Sequence, residues 1–383
     1  LIEMKIRFIG ATREVTGSKH LITTESGKKI LFDCGMFQGK GKETDSSNRD
    51  LGFEPREIDH IILTHAHIDH SGLIPYLYTL GFEGSVICTD ATRNLCSLML
   101  PDSGFIQEHD IKWYNKKLIK KGLAPVKPIY THEDAVKAMK LFIGVALDRK
   151  FKIDDSISVK FTNSGHMLGS AVANLSVFEN GKVTNIAYTG DIGRPTNRIV
   201  KSPAPFPQAD ILITESTYGD RLHKEPEHKT QRVSTRERSK ELAEIIREIF
   251  LRGGNVIIPS FAVCRTQELL YLLRYIITHK MFPDIPYIPV FLDSPLAIEA
   301  TKVFSRNIEG YFDDEAMELV HQGHNPLMFG SLTSTVTADE SRELNKREGS
   351  AVIISSSGMC EAGRIKHHLK HNLWRRESTI VFC

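Results

Sequence analysis

The 383-residue chain has few cysteines, no long apolar run and almost no net charge. Its six cysteines are scattered without paired spacing, which argues against a disulfide framework. No stretch approaches the about 18–20 consecutive apolar residues that a membrane span needs. The first residues have the pattern of a strand rather than that of a signal peptide. We therefore expect a cytoplasmic protein that has no membrane partner.

The small net charge and the length of the chain also limit its class. A formal net charge of +2 does not identify an acidic partner, so any affinity for nucleic acid must come from local basic patches. A hydrophobic content of 41% and a charged content of 25% are typical of a globular protein. Single cores stop growing near ~250–300 residues, and a chain of this length is therefore expected to form two domains.

The first half of the chain predicts β-rich regions separated by helices. Short strands with glycine turns over residues 5–33 indicate an antiparallel meander. Further strands are predicted at residues 61–63, 86–88, 158–161, 171–175 and 185–188. Helical patterns cover residues 71–80, 90–100 and 131–142.

After residue 209 the pattern changes to strands that alternate with helices. The predicted strands are residues 211–214, 255–259, 290–293, 351–354 and 379–382, and the longest predicted helices are residues 236–252 and 265–277. This alternation indicates a largely parallel sheet. The sequence therefore predicts an α/β protein with domains at residues 1–208 and 209–383, and the boundary rests on the change of pattern alone.

A cluster of metal-binding side chains directly follows the predicted strand 61–63. Residues 65–70 read His-Ala-His-Ile-Asp-His, and neutral imidazoles and carboxylates are ligands that suit zinc. Side chains alternate in an extended backbone, so His65 and His67 point the same way and can chelate one ion. Asp69 and His70 follow in the next turn and can hold a second ion. A histidine-rich surface loop is the alternative, but repeated imidazoles after a buried strand argue against it.

Three turns that contain glycine supply further candidates, at His166, Asp191 and Asp33. Taken singly, each is more typical of a structural turn. Zinc catalysis, however, needs three protein ligands per ion and an open position for water. We predict two sites: His65, His67 and His166 for the first ion, and Asp69, His70 and Asp191 for the second. Asp191 could bridge both ions, and Asp33 is predicted to orient a ligand histidine.

The ordered series of Asp33, residues 65–70, His166 and Asp191 resembles the four N-terminal motifs of the metallo-β-lactamase superfamily of di-zinc hydrolases. Residues 214–221 are similar to the first signature of its β-CASP branch, whose members process nucleic acids. Three later segments are similar to the inserted domain of that branch, and they match its RNA-cleaving members better than its DNA-repair members: residues 259–270, 293–297 and 355–364.

This resemblance implies a fold and an activity. The expected fold is an α/β metallo-β-lactamase αββα sandwich with an inserted α/β β-CASP domain. The expected activity is that of a ribonuclease with two zinc ions and single-stranded RNA as substrate. Two zinc ions lower the pKa of a shared water, and the resulting hydroxide would attack phosphorus in line with the leaving oxygen. Asp69 could orient this hydroxide and accept its proton.

The end of the sequence departs from the family pattern. In the family, the chain returns from the inserted domain and supplies two more histidines, one for catalysis and one as a ligand of the second zinc. Because this sequence stops at Cys383, we expect a C-terminally truncated chain whose second metal site lacks one ligand. The late histidines lie in a basic helical stretch and are interpreted as a solvated face: His367, His368 and His371.

The resemblance also assigns a role to Glu215, in the segment 214–221. In the family, the glutamate at this position pairs with the first of the two histidines that this sequence lacks, and it helps to protonate the leaving group. A capping carboxylate after a strand is the alternative. Substrate binding is predicted for residues that follow the strand 351–354 and offer hydroxyl and N–H groups to a phosphate at a helix N-terminus, with a guanidinium one turn further on: Ser355, Ser356, Ser357, Gly358 and Arg364. A plain strand-to-helix turn explains these residues almost as well.

Residues 112–121 interleave aromatic rings with lysines, as RNA-binding surfaces do. The more common meaning of such a run is the exposed face of a helix.

Two alternatives to the ribonuclease are an impaired RNA-binding homologue and a small-molecule hydrolase such as a thioesterase or lactonase. The small-molecule hydrolase needs neither an inserted domain nor the segment 214–221. The sequence does not separate endo- from exonuclease activity, and it is compatible with a homodimer without requiring one.

Overall fold

The computed structural model describes residues 3–39, 43–194, 199–221 and 234–382. Of these, residues 3–194 and 202–221 form one compact unit, and residues 199–201 and 234–382 form a second. The predicted domain boundary at residues 208 and 209 stays a prediction.

The first unit contains two β-sheets. The strands of its first sheet are β1 (Lys5–Gly10), β2 (Lys19–Thr23), β3 (Lys29–Phe32), β4 (His60–Ile62), β5 (Ser85–Thr89) and β6 (Phe142–Val145), which lie side by side in chain order. The pairs β1–β2 and β2–β3 are antiparallel, as the predicted meander requires, and the remaining pairs are parallel.

The second sheet of this unit contains β7 (Lys150–Lys152), β8 (Ile157–Asn163), β9 (Ala171–Glu179), β10 (Lys182–Tyr188) and β11 (Ile211–Ile213), in the order β11-β10-β9-β8-β7. All pairs are antiparallel except β10–β11, which is parallel. The strand β11, whose sequence pattern groups it with the second half of the chain, is therefore an edge strand of the first unit.

The two sheets face each other across one hydrophobic core. Ile30, Phe32 and Ile62 from the first sheet pack with Val159 and Phe161 from the second, and all five are fully buried. Each fully buried side chain of this size contributes about 1.5–3 kcal/mol relative to an exposed one. The predicted sandwich is confirmed, and the strand ends that carry the candidate ligands are held by this core.

The helices of the first unit are α1 (Thr44–Arg49), α2 (Ile68–Ser71), α3 (Ile74–Thr79), α4 (Asp90–Lys120) and α5 (His132–Ala138). Two helix predictions were wrong in their bounds. The single helix expected over residues 71–80 is split into α2 and α3, with α2 starting at Ile68. The helix expected to reach residue 142 ends at Ala138, and after a 3₁₀ turn the chain enters β6.

The predicted end of α4 at Leu100 was also wrong, because the helix continues through Pro101 to Lys120. Proline in a helix interior removes one hydrogen bond and usually ends the helix. Here Leu100, Pro101 and Gly104 are buried, and Gly104 lies so close to the start of α5 that a Cβ atom would be 2.6 Å from the backbone nitrogen of His132. Tertiary packing of α4 against α5 outweighs the lost hydrogen bond.

The second unit is a parallel sheet with helices between its strands, as predicted. Its strands are β12 (Val256–Pro259), β13 (Val290–Leu292), β14 (Leu332–Ser334), β15 (Val352–Ser355) and β16 (Thr379–Ile380), in the order β14-β13-β15-β12-β16. Every pair is parallel. Its helices are α6 (Thr235–Leu251), α7 (Arg265–Thr278), α8 (Pro295–Arg306), α9 (Asp314–His321), α10 (Ala338–Leu344) and α11 (Ile365–Asn372).

One interpretation of α11 was wrong. His367 and His371 are exposed, as expected of a solvated face, but His368 is completely buried. Ile365, His368 and Asn372 recur at helical spacing and form the buried face of this helix. Because His368 stands among basic residues, the sequence pattern does not identify it as part of a buried helix face.

The described residues contain no helix long and apolar enough to cross a membrane. Five cysteines have free thiols, namely Cys34, Cys88, Cys96, Cys264 and Cys360, and Cys383 lies outside the described residues. The cytoplasmic location of the protein stays a prediction.

Candidate metal centre

The six predicted metal ligands all lie in the first unit, in turns that follow its strands. Their positions are as follows: His65 and His67 after β4, Asp69 and His70 in α2, His166 between β8 and β9, and Asp191 after β10. The sandwich core fixes these strand ends and brings residues that are far apart in sequence into contact.

Three imidazoles converge on one point. The Nδ1 atom of His67 lies 3.2 Å from Nε2 of His65 and 3.2 Å from Nε2 of His166. The Oδ2 atom of Asp191 is 3.4 Å from Nε2 of His166 and 3.7 Å from Nε2 of His65. One ligand atom from each of these four residues lies within 4.8 Å of the others. Imidazole nitrogens that face one another at these distances cannot all be paired by protons, and this donor set fits a divalent cation.

The remaining predicted ligands form a second group beside the first. The Oδ1 atom of Asp191 is 3.1 Å from Nε2 of His70, and Oδ2 of Asp69 is 3.8 Å from the same nitrogen. One carboxylate oxygen of Asp191 thus faces each group, as a bridging role would require. The assignment of the two groups to two ions stays a prediction.

Asp33, predicted to orient a histidine, is fully buried beneath this second group. Its Oδ2 atom pairs with Nδ1 of His70 at 2.7 Å and accepts from the hydroxyl of Tyr188 at 2.9 Å. The backbone N–H of Thr64 donates to Oδ1 at 2.8 Å. Asp33 has a φ of 54°, a left-handed conformation that costs a non-glycine residue of order 1–3 kcal/mol. These bonds hold the strained residue in place and aim Nε2 of His70 at Asp191.

The sequence did not reveal three supports of this network: Ser18, Thr64 and Tyr188. The hydroxyl of Tyr188 is hydrogen-bonded to Oγ of Ser18 at 2.7 Å as well as to Asp33. Thr64 and Tyr188 could have been found, because they directly precede the His65 cluster and the turn that carries Asp191. Ser18 has no such neighbour in the sequence, and only the fold brings it to the site.

Two glycines allow the ligand-bearing turns to touch neighbouring loops. A Cβ atom at Gly35 would lie 1.5 Å from the carbonyl oxygen of Asp69, and one at Gly193 would lie 1.8 Å from that of Gly165. Real Cβ atoms cannot approach so closely, so any larger residue would displace the turn of Asp69 or that of His166.

Burial and neighbouring charges set the protonation of the ligands. Burial, reinforced by the other imidazoles, lowers the pKa of His67 to about 3 and that of His65 well below its usual value. These imidazoles are therefore neutral, which is the form that binds metals. Burial opposes a charge on His70, but its hydrogen bonds to Asp191 and Asp33 raise its pKa well above the usual value. Burial raises the pKa of Asp69.

Glu215, the other predicted catalytic residue, is fixed beside Asp191. Its Oε1 atom accepts from the backbone N–H of Ile192 and its Oε2 atom accepts from the hydroxyl of Thr217, both at 2.7 Å. Glu215 lines a cavity of about 630 Å³ together with His70 and Asp191. The two hydrogen bonds suit the structural role of a capping carboxylate, and the position of Glu215 in the cavity also suits the predicted catalytic role.

The predicted substrate-binding serines lie in the second unit. The hydroxyl of Ser355 donates to the carbonyl of Asp293 at 2.8 Å, and that of Ser356 donates to Oγ of Ser294 at 2.8 Å. The hydroxyl of Ser357 contacts the carbonyl of Ala362 at 3.3 Å. The expectation that these residues open a helix was wrong, because a turn follows them and α11 starts only at Ile365.

Gly358 and Arg364 belong to the same turn. Gly358 packs against Phe261, where an added Cβ atom would lie 3.0 Å from the ring. Arg364 directly precedes α11 instead of lying one turn into it, and its guanidinium is engaged within the unit. Nη1 donates to Oδ1 of Asp293 at 2.7 Å and to the carbonyl of Thr335 at 3.0 Å, and Nη2 donates to that of Val336 at 2.7 Å.

Comparisons with known proteins agree with this geometry. The sequence model of the Metallo-beta-lactamase superfamily matches residues 16–227, and that of the Beta-Casp domain matches residues 266–383. The chain is 35% identical to Ribonuclease TTHA0252 of Thermus thermophilus over 379 residues, which are 99% of this chain and 78% of that protein. It is 31% identical to an RNase J-like protein of Methanocaldococcus jannaschii, over 95% of this chain and 74% of that protein.

A longer relative is Transcription termination factor FttA of Methanocaldococcus jannaschii. It is 31% identical over 380 residues, which are 99% of this chain and 55% of that protein, so the chain spans about half its length. The family is established by two family models that together cover most of the chain, and by a relative above 30% identity that aligns along nearly all of it. The chain belongs to the metallo-β-lactamase superfamily of metal-dependent hydrolases, in its β-CASP branch.

Proposed function

We propose that the protein is a zinc-dependent ribonuclease that hydrolyses phosphodiester bonds of RNA, in RNA processing or decay. The observation that carries this proposal is the convergence of His65, His67, His166 and Asp191 within 4.8 Å of one another. The name of the 35% identical ribonuclease from Thermus thermophilus supports RNA as the substrate.

Zinc is the proposed metal because the donor set is rich in histidine. Magnesium and calcium prefer oxygen ligands, whereas zinc is bound well by imidazole nitrogen together with carboxylate oxygen. The proposed ligands are His65, His67 and His166 for one ion and Asp69, His70 and Asp191 for the other. When bound, two zinc ions supply Lewis-acid chemistry, which lowers the pKa of water and stabilises negative charge on phosphate oxygens.

The side chains of this site divide the remaining tasks. We assign to Asp69 the role of general base, which accepts the proton of the attacking water, because burial raises the pKa of its carboxyl group. Asp33 acts through His70 as a positioning residue. Glu215, held by the backbone N–H of Ile192, is proposed to position the group that protonates the leaving oxygen.

The second unit is proposed to bind the RNA. Ser357 and Gly358 are partly exposed and are the proposed contacts of a phosphate. Ser355 and Ser356 are bonded to the loop of Asp293 and Ser294, and Arg364 is bonded to Asp293 itself. These three residues are therefore proposed to shape the turn that presents Ser357 and Gly358. A homodimer, with which the sequence is compatible, is not part of this proposal.

Metal analysis combined with RNA cleavage tests the proposed function. We expect about two zinc ions per chain and cleavage of single-stranded RNA that carries a label at its 5′ or 3′ end, and the two labels distinguish endo- from exonuclease products. His67→Ala should abolish both metal binding at its site and cleavage. His132→Ala, which changes an exposed histidine of the same unit, should alter neither. Full metal occupancy without cleavage, or an unaffected His67→Ala variant, would contradict the proposal.

A further inference from the structure

The second half of α4 is an exposed surface that the proposed active site does not use. On this half, Phe105, His109, Trp113, Lys116, Lys117 and Lys120 recur at spacings of three and four residues and face the same side of the helix, and we call these six residues the α4 stripe. All six are exposed, with Trp113 at 61% and Phe105 at 60%. The aromatic rings and the lysines of the α4 stripe are therefore accessible from the same side of the helix.

Charge is concentrated in the same place. Residues 111–127 contain six lysines and no carboxylate, whereas the whole chain has a net charge of only +2. Some exposed lysines elsewhere are paired with a carboxylate on their own helix, as Lys137 is with Glu133 and Lys302 is with Glu299. Within the described part of the chain, no carboxylate lies within salt-bridge distance of Lys112, Lys116, Lys120 or Lys121. Their positive charge is therefore available to an external anion.

The surface is also held in a defined shape. The ammonium of Lys117 lies 3.4 Å from the centroid of the Trp113 ring, a cation–π contact that fixes the indole beside a positive charge. The side chain of Asn115 accepts from the N–H of Val126 and donates to its carbonyl, both at 2.9 Å. This pair ties the segment after α4 back onto the helix, so the lysines remain on one structured surface.

We infer that the α4 stripe binds single-stranded RNA, with bases stacked on Trp113 and phosphates paired with Lys116, Lys117 and Lys120. Alternating rings and unpaired lysines match the bases and phosphates of a single strand. A protein partner fits less well, since the cores of protein interfaces are depleted in lysine. This inference rests on the proposed function and adds a binding site that lies away from the metal ligands.

The same helix connects this surface with the metal centre. At the start of α4 the hydroxyls of Thr89 and Thr92 donate to the carbonyl of Gly169, at 2.7 and 2.9 Å, in the turn that carries His166. With a rise of 1.5 Å per residue, Trp113 lies about 32 Å along the helix from Thr92. Only an RNA longer than a few nucleotides can therefore occupy the metal centre and the α4 stripe together.

Tryptophan fluorescence tests the stacking directly, because the chain has only two tryptophans, Trp113 and Trp374. Trp374→Phe leaves Trp113 as the sole fluorophore, and Trp113→Phe is the matched control. Both are studied in a His67→Ala background, so that RNA is not consumed. An oligouridylate of about 30 nucleotides should quench Trp113 in a saturable, salt-sensitive manner and leave Trp374 unchanged. Equal quenching of the two, or none of Trp113, would overturn the inference.

A charge-matched pair of triple variants tests the lysines. Lys116→Gln, Lys117→Gln and Lys120→Gln together should weaken RNA binding at least about tenfold and lower the slope of log affinity against log salt by about 2. The control changes three exposed lysines on strands of the same unit, Lys5, Lys150 and Lys182, to Gln and should change neither. Glutamine is a good helix former, so the first variant should fold normally.

Cleavage separates failure of this inference from failure of the proposed function. The α4 triple variant, with His67 intact, should cleave an RNA of about 5 nucleotides as fast as the unaltered protein, and should show a raised KM for one of about 30 nucleotides. Cleavage with an unchanged KM for the long RNA overturns the inference and leaves the proposed function standing. An unaltered protein that neither binds nor cleaves RNA overturns both. Binding to anionic lipid vesicles but not to RNA would reassign the surface.

Discussion

Each unit of the molecule contains a buried aspartate paired with a histidine at the carboxyl end of a parallel strand. In the first unit Asp33 follows β3 and pairs with His70 at 2.7 Å. In the second unit Asp293 follows β13 and pairs with His368 at 2.6 Å. Both aspartates are fully buried. By residue type, separation and burial the two pairs are nearly the same.

The surroundings of the two pairs differ. Asp293 also accepts from three further donors, and the second nitrogen of His368 is bonded to the side chain of Asn345 at 3.0 Å, so the group is satisfied internally. The three donors are Thr335, Ser341 and Arg364, at 2.5, 2.6 and 2.7 Å. The second nitrogen of His70 instead faces two carboxylates, beside three imidazoles whose nitrogens face one another. A closed hydrogen-bond network indicates a structural role, whereas ligand atoms of several side chains that converge on one point indicate a binding site.

The largest effect expected from this comparison is on the stability of the second unit. Asp293→Asn removes the charge that four donors share and leaves the guanidinium of Arg364 without its carboxylate. Breaking a buried ion pair in this way costs about 3–5 kcal/mol. Urea unfolding should show this loss in the free energy of unfolding, while the metal content of the protein stays unchanged.

The matched control for this change is Asp339→Asn. Asp339 is exposed on α10, and its ion-pair partner among the described residues is Arg342, so its loss should cost about 0–1 kcal/mol. If Asp293→Asn proved as mild as Asp339→Asn, or if it released metal, Asp293 would not be the structural counterpart of Asp33 that we describe.

The two sites were not equally visible in the sequence. The metal centre was found because four of its ligands lie within residues 65–70, and because zinc chemistry demands partners of a known type for them. Glycine turns then pointed to His166 and Asp191. The individual strands of the first unit followed from local apolar patterns, whereas the sandwich that they form was expected from the family resemblance.

The pair of Asp293 and His368 could not be predicted in this way. The two residues are 75 positions apart, and His368 lies among lysines and two exposed histidines. A buried polar residue breaks the apolar periodicity by which a helix face is recognised. The continuation of α4 past Pro101 was missed for a related reason, because packing against α5 has no signal in the sequence of α4 itself.

Metal binding should stabilise the first unit and not the second. A ligand that binds only the folded state adds about 2.7 kcal/mol when its free concentration is 100 times its dissociation constant. Zinc should therefore slow hydrogen exchange in the turns of His65 and His166, and a chelator should reverse this. Exchange in α11, which carries His368, should not change. Equal protection of both regions would mean that the second site also binds the metal.

Asp33→Asn should weaken the metal centre without abolishing it. Groups that orient a ligand histidine typically contribute 10–100-fold to metal affinity, which corresponds to about 1.4–2.7 kcal/mol. Zinc titration against a competing chelator should show this loss. Asp155→Asn is the control and should leave the affinity unchanged, because Asp155 is exposed and pairs with Lys152 in the part of the chain that the structure describes. A loss limited to overall stability would assign Asp33 a structural role like that of Asp293.

The smallest effect concerns acid stability. Burial alone would raise the pKa of Asp293, but hydrogen bonds from His368, Ser341, Thr335 and Arg364 hold it well below the usual range. The unfolded pKa is about 3.9, so the stability that this carboxylate contributes is present above that pH and is lost as the pH falls towards its folded pKa. The unaltered protein should therefore lose up to about 1.4 kcal/mol per pH unit more than Asp293→Asn below pH ~4.

This difference can be measured by urea unfolding in a chelator between about pH 5 and pH 3, where the gap between the two proteins should narrow as the pH falls. Use of the variant as the reference cancels the titration of all other carboxylates, including those of the metal centre. A gap that stayed constant to pH ~3 would mean that the donors around Asp293 do not favour its ionised form. The hydrogen bonds around Asp293 would then not depend on its negative charge. The difference between Asp293 and Asp33 would in that case lie only in the arrangement of their neighbours.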